Sequence, residues 1–217
     1  RNALIKNNLL ESIFLEVKNS MIKNNLILNE GTLVDATLIH SSEPKKRKDE
    51  NGKTISNKAN DEDASYTSKR GRKHHGYKIH IATDTNSIIK EVITTTAKTH
   101  DSTQFDALTK DETKAVFADS GYMSQERKRT LRSKGIFNGI TERRVRGQSK
   151  LRTKQSKNNT KFSKVRALVE LPFAFIKKLM KYTETKYLGL HKNSQHVFLI
   201  AAAYNLRRMP KLIQRYE

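Results

Sequence analysis

Residue patterning points to a mixed α/β domain organised around one central sheet. Three observations support this. Segments of helical and strand periodicity alternate in the order helix, strand, long loop, two strands, helix, strand, helix, strand and two helices. The 217 residues suit one domain of ordinary size, and a 35% hydrophobic share still furnishes a core. No apolar run reaches 18 residues and Cys is absent, which excludes a membrane-spanning helix, a disulfide scaffold, Cys-based zinc sites and thiol catalysis.

Residues 9–27 place Leu9, Leu10, Ile13, Phe14, Val17, Met21 and Ile22 at helical spacing, and Gly31 ends the pattern. The β-rich run 32–40 follows, with Asp35 in its middle. Residues 41–73 hold ten basic and six acidic residues but one large aliphatic, Ile55. They are expected to form a solvated, basic loop insertion that includes the tract 45–48. Strands over 77–84 and 88–96, joined by Asp-Thr-Asn-Ser, read as a hairpin. Residues 101–109 read as a short helix with an Asp or Ser cap. The run 115–118 is a buried strand ending at Asp119, and a basic helix over 124–134 closes at Gly135. Residues 136–141 give another strand. Residues 143–164, with nine basic and no acidic residues, read as a basic loop. An apolar helix over 165–181 is interrupted by Pro172 and offers Phe173, Phe175, Ile176 and Leu179 to the core. The last helix covers 194–208, leaving 209–217 as a tail.

Charge is unevenly distributed. The formal net charge is +21 and the pI is near 10.1. Residues 1–119 hold 19 basic and 17 acidic residues, whereas 120–217 hold 24 basic and five acidic. A single-sign field of that size disfavours the compact state unless an anion uses it. Nucleic acid is the expected partner, since each Lys or Arg that meets a phosphate gains affinity by counterion release. The plainer alternative is a solvated basic face.

Three carboxylates stand where acids are scarce: Asp35 inside an apolar strand run, Asp119 at the end of another, and Glu170 in the helix before Pro172. Carboxylates gathered without partners repel each other, and a divalent cation relieves that repulsion. Mg²⁺ takes oxygen ligands, and a pair of such ions can activate an attacking oxygen and stabilise the leaving one at a phosphodiester. His74, His75, His80 and His100 are weaker candidates, because a hard cation favours oxygen over imidazole. The structural alternatives are an edge-strand Asp facing water, a plain turn at Asp119, and a helical ion pair between Glu170 and Arg166.

The residues around these acids resemble bacterial insertion-sequence transposases of the DDE type, in the group named after insertion sequence five. The similarity lies in separate blocks, in family order, over roughly residues 31–208. They are Gly31-Thr-Leu-Val-Asp35-Ala-Thr, His75-Gly-Tyr-Lys-Ile-His80, Thr99-His100-Asp101, Phe117-Ala-Asp119-Ser-Gly-Tyr122, the set Arg166, Glu170 and Lys177, and Tyr187-Leu-Gly-Leu-His-Lys-Asn193. Ser163 stands where the family pattern usually has Tyr, and Leu171 where His commonly follows the Glu.

The resemblance implies a ribonuclease H-like mixed sheet flanked by helices, with Asp35 and Asp119 on neighbouring central strands and Glu170 on a later helix. It implies that Asp35, Asp119 and Glu170 are the catalytic and metal-holding residues, with two Mg²⁺ or Mn²⁺ ions as cofactors. The implied reaction is DNA strand cleavage and strand transfer at inverted terminal repeats. Duplex DNA, as element ends and target, is then the partner. The expected DNA contacts are Arg143, Arg144, Arg146, Lys150, Arg152, Lys154, Arg166, Lys177 and Lys178. A homodimer in the DNA complex, no membrane association, and a cytoplasmic, nucleoid-associated location complete the expectation. Family members carry a substantial region before the core, so residues 1–30 read as a helical remnant of it, followed by a catalytic core over 31–208. A catalytically inactive DNA-binding remnant is the alternative within the same fold. A basic RNA-associated protein would leave Asp35 and Asp119 without a reason.

Overall fold

The computed structural model describes residues 2–44, 46–48, 51, 54–56, 61–69, 71–144 and 147–216. Two helices, α1 (Asn2–Lys6) and α2 (Leu9–Lys23), open the chain. Leu10, Phe14 and Met21 of α2 are buried, whereas Leu9, Ile13 and Ile22 stay exposed, so the apolar stripe is wider than the face it buries. Then come β1 (Thr32–His40), the small hairpin β2 (Lys46–Lys48) and β3 (Thr54–Ser56), β4 (Ser65–Lys69), β5 (Arg72–Thr83) and β6 (Ile89–Thr96). A 3-10 turn (Asp101–Gln104) leads into α3 (Phe105–Leu108), β7 (Ala115–Ala118), α4 (Gln125–Ser133) and β8 (Phe137–Asn138). The chain ends with α5 (Thr153–Arg166), α6 (Glu170–Ala174) and the long α7 (Leu190–Tyr216).

Six strands form one mixed sheet in the order β4-β5-β1-β7-β8, with β6 also paired to β5. The pairs β1–β5 and β5–β6 are antiparallel, while β7 runs parallel to β1 and β8 parallel to β7. This is the ribonuclease H-like arrangement, flanked by helices. Strand β1 lies at its centre because it is apolar on both faces. Leu33 and Ile39 join Ile79, Ile81 and Val92 in a core with Phe14, Val197, Ile200 and Tyr204 of the helices. Val34 faces the other way, with Ala82, Val116 and Ala118 against Phe105, Leu108 and Leu131. Each large side chain buried in this way contributes about 1.5–3 kcal/mol.

Several expectations change. Residues 41–73 are not a uniform loop, since they hold the β2–β3 hairpin and edge strand β4, whose Ser65 to Lys69 pair with Gly76 to Arg72. Of the basic tract 45–48, the last three residues form β2 and Lys45 lies outside the described residues. At Gly76, where β5 passes from β4 to β1, φ is +147° and a Cβ would overlap the Ile39 carbonyl, so no side chain fits. The cap of the turn at 101–104 is the His100 ring, which accepts from Ser102 N, rather than an Asp or Ser. The strand at 136–141 shrinks to β8.

The basic stretch 143–164 becomes largely helical. Few apolar residues mark α5, yet Phe162 lies against Phe117 and Phe137. Asn159 and Gln155 also hydrogen-bond Glu142 from the helix. The last helix runs well past Arg208, through Pro210, because Leu212 is buried with Met21, Leu26 and Ile88. Leu179 is 52% exposed and is not a core residue.

Candidate active site

The parallel ladder between β1 and β7 pairs Thr32 with Val116, Leu33 with Phe117 and Val34 with Ala118. One step further along both strands come Asp35 and Asp119, so the register itself sets the two acids side by side at the sheet's centre. Asp119 leaves β7 and caps a 3-10 turn (Ser120–Tyr122), its Oδ1 accepting from Ser120 N at 2.5 Å and from Thr141 Oγ1 at 3.4 Å. Tyr122 anchors that turn by burial in the core. Asp35 Oδ1 accepts from Ala36 N at 2.8 Å.

Glu170 is brought to the same place by a helical path of changing pitch. A 3-10 turn (Ala167–Val169) follows α5, α6 begins at Glu170, and a π-helical turn (Phe175–Leu179) succeeds it. Pro172 falls in the first turn of α6, where a missing N–H costs least. Val169, Phe173 and Ile176 are buried and fix this path against the sheet. The exposed side, with Arg166, Glu170, Ala174, Lys177 and Lys178, lines an open cleft of about 600 Å³ together with Asp35, Thr37, Lys69 and Asp119.

Electrostatics follow from this crowding. Burial pushes the Asp35 carboxyl above the usual carboxylate range, and the charges of Glu170 and Asp119 add to it, while the Ala36 N–H and Arg166 oppose. Arg166 Nη1 lies 3.7 Å from Asp35 Oδ2 and 3.9 Å from Asp119 Oδ2. Its ion-pair partners among the described residues are therefore the two Asp, not Glu170 at i+4. Burial also pulls the Lys177 ammonium below its ordinary value, followed by the charge of Lys69, with Glu170 opposing.

The donor set is all oxygen, its negative charge is only partly offset by one guanidinium, and such a set suits a hard divalent cation. Among the described residues no three carboxylate or imidazole groups already stand at metal-binding spacing. The histidines have other contacts: His75 with the Ser41 carbonyl, His80 with Thr95, His100 with Ser102.

The basic residues separate into two groups. Arg166, Lys177 and Lys178 share the cleft with the acids. Arg143 reaches back from the following segment and donates from Nε and Nη2 to the Ser120 carbonyl, beside Asp119. Arg144 bonds the Ser149 carbonyl, and Lys150, Arg152 and Lys154 are exposed around the start of α5. Arg146 lies outside the described residues. Sequence reasoning missed Lys69 and Thr141. Lys69 sits in the stretch read as loop, and the only signal for it was the weak β-character of Ser65-Tyr66-Thr67.

An aspartate inside β1, a second just past the end of β7, a glutamate opening α6 and a basic rim thus share one cleft on a ribonuclease H-like sheet. The chain matches the transposase DDE domain over residues 28–206, most of its length, and belongs to that family. The match takes in the whole six-stranded sheet and all three acids. Divalent-metal use and DNA partners are general properties of the family. No solved structure matches the chain. Among the described residues no helix is long and apolar enough to cross a membrane.

Proposed function

We propose that residues 31–208 are the catalytic core of a transposase of the insertion-sequence-five group, which cuts and joins DNA strands at the inverted terminal repeats of its element. The observation that carries this reading is the shared cleft of Asp35, Asp119 and Glu170, walled by Arg166, Lys177 and Lys178. Mg²⁺ or Mn²⁺, as two ions held by the three acids, supplies Lewis-acid polarisation of the phosphodiester and an activated attacking oxygen. Asp35 and Asp119 come from adjacent strands and give the site its rigid side; Glu170 closes it from the helix. Arg166, Lys177 and Lys178 bind backbone phosphate and orient it in the cleft, while Arg143, Arg144, Lys150, Arg152 and Lys154 extend the contact along the duplex. In the first step water displaces the 3′ oxygen from phosphorus, leaving a 3′-hydroxyl and a 5′-phosphate. In the second that hydroxyl attacks a target phosphodiester, forms the new bond and releases the target's own 3′-hydroxyl. A homodimer, one copy at each element end, belongs to the proposal, with the nucleoid as its place of action.

Mg²⁺-dependent nicking of supercoiled DNA by the full chain tests it. Asp35→Asn, Asp119→Asn and Glu170→Gln should each slow cleavage by about 10³-fold or more while duplex affinity in EDTA stays within about threefold. Cleavage that survives all three substitutions refutes the assignment. Binding without cleavage by the unaltered chain, in Mg²⁺ and in Mn²⁺, marks a catalytically inactive remnant.

A further inference from the structure

The returning arm of the 41–73 insertion belongs to none of the sequence blocks, yet it is firmly anchored and ends in the cleft. Asp61 is 2% exposed; its Oδ1 accepts from Tyr77 OH at 2.6 Å and from Gly189 N at 3.1 Å, and its Oδ2 from Ser41 Oγ at 3.4 Å. Asp63 Oδ2 accepts from Leu190 N at 2.8 Å. Two acids of the arm thus satisfy free N–H groups at the start of α7 and hold the arm to it. From that anchor β4 runs along β5 and delivers Lys69 to the carboxylate cleft. Lys69 also lines a second cavity of about 260 Å³, which shares Ala36 and Thr37 with the first and adds Thr67, Ser68 and His100.

Lys69 and Lys177 therefore approach one cavity from unrelated elements, a sheet edge and a π-helical turn. Among the described residues neither ammonium is in ion-pair contact with a carboxylate. The charge of Lys69 is felt at Lys177, so the two repel across the cavity. Glu170, in the same cleft, offsets part of this repulsion at Lys177, and an entering anion between the two ammonium groups relieves the rest.

We infer that Lys69 and Lys177 together form a phosphate subsite, which holds a backbone phosphate neighbouring the one the three acids act on and makes the 61–69 arm part of the DNA-binding surface. The inference rests on the DNA reading of the cleft given above. Ammonium groups are compact point charges with rotatable donors, so the subsite takes the unesterified oxygens of any nucleotide and reads no base.

The test is binding of the full chain to a short duplex of arbitrary sequence in EDTA, followed by fluorescence anisotropy over a range of salt, where no cleavage is needed. Lys69→Met should weaken binding about tenfold at low salt and lower the slope of log affinity against log salt by about one. Lys69→Arg should retain most of the affinity. In a Lys177→Met background the Lys69 substitution should cost less than about threefold, because the clamped phosphate is already released. Lys110→Met, at a side chain 58% exposed and outside the cleft, should change nothing. Circular dichroism reports whether each variant remains folded, and Lys69, being exposed, is free to change. Unaltered affinity and slope in Lys69→Met, losses that simply add in the double variant, or an equal loss in Lys110→Met would each overturn the subsite alone. An unaltered chain that binds no duplex overturns the DNA reading and the subsite together.

Discussion

Arg166 serves two carboxylates at once, 3.7 Å from Asp35 and 3.9 Å from Asp119, and all three side chains keep some exposure. Its removal leaves a raised Asp35 carboxyl beside Asp119 without the guanidinium that pairs with both. Arg166→Gln should cost about 1 kcal/mol of stability in EDTA. The loss should be smaller in Mg²⁺, because a divalent cation relieves the same repulsion. Urea unfolding with and without Mg²⁺ checks this, and an equal loss in both contradicts it. His80 and Asp84 give a pH signature away from the cleft. Burial pushes the His80 ring down to about 4, with Asp101 opposing and Lys78 assisting. Its folded value lies below its ordinary 6.5, so its contribution to stability is present above about 6.5 and is lost as pH falls toward 4. Asp84 has the opposite sign. Burial raises it to about 6 against hydrogen bonds from Leu28 N and Ile88 N, so its contribution is present below its ordinary 3.8 and is lost as pH rises through 6. The two partly cancel in the unaltered chain. Relative to that chain, His80→Gln should gain about 2 kcal/mol between pH 7 and pH 4.5 in urea titrations; a pH-independent difference contradicts the assignment.

The elements differ in how far the sequence revealed them, for physical reasons. β1 and β7 end where they were expected because each is a short apolar run between turn residues, and both are buried on two faces. Asp35 and Asp119 stood out as acids in such runs, but only the parallel pairing of Val34 with Ala118 sets them side by side. α5 was read as a loop because it depends on a few aromatic contacts and on Gln155 and Asn159 bonding Glu142, which periodicity does not register. β4 was hidden for the same reason: it is a polar edge strand whose ladder comes from β5. The last helix was expected to end at Arg208, but the burial of Leu212 carries it on through Pro210. At the start of α7, Gly189 has φ +91° while a Cβ there would touch Asp63 only at ordinary contact distance, 3.5 Å. Backbone strain is then the whole expected cost, so Gly189→Ala should lower stability by about 1–2 kcal/mol in chemical denaturation. A neutral result would show that the capping turn tolerates a side chain.

At the scale of the whole molecule, the sheet separates two roles. Its central strands present the acids, and the C-terminal half that packs over them carries 24 basic and five acidic residues. Arg143, which bonds the Ser120 carbonyl, ties the basic segment to the residue following Asp119. A surface of this kind should bind duplex DNA with a steep salt dependence, losing about 10³-fold in affinity or more between 50 and 200 mM salt. A shallow dependence would mean that the positive field is merely solvated. Sharing of divalent metal by Asp35, Asp119 and Glu170 in one cleft is open to a direct test. Fe²⁺ in place of Mg²⁺, with ascorbate and peroxide, generates hydroxyl radicals that cut the polypeptide close to the bound ion. Cuts near residues 35, 119 and 170 together, suppressed by excess Mg²⁺ and absent in Asp119→Asn, are the expected result. Cuts confined to other segments, or unaffected by Mg²⁺ and by that substitution, would contradict it.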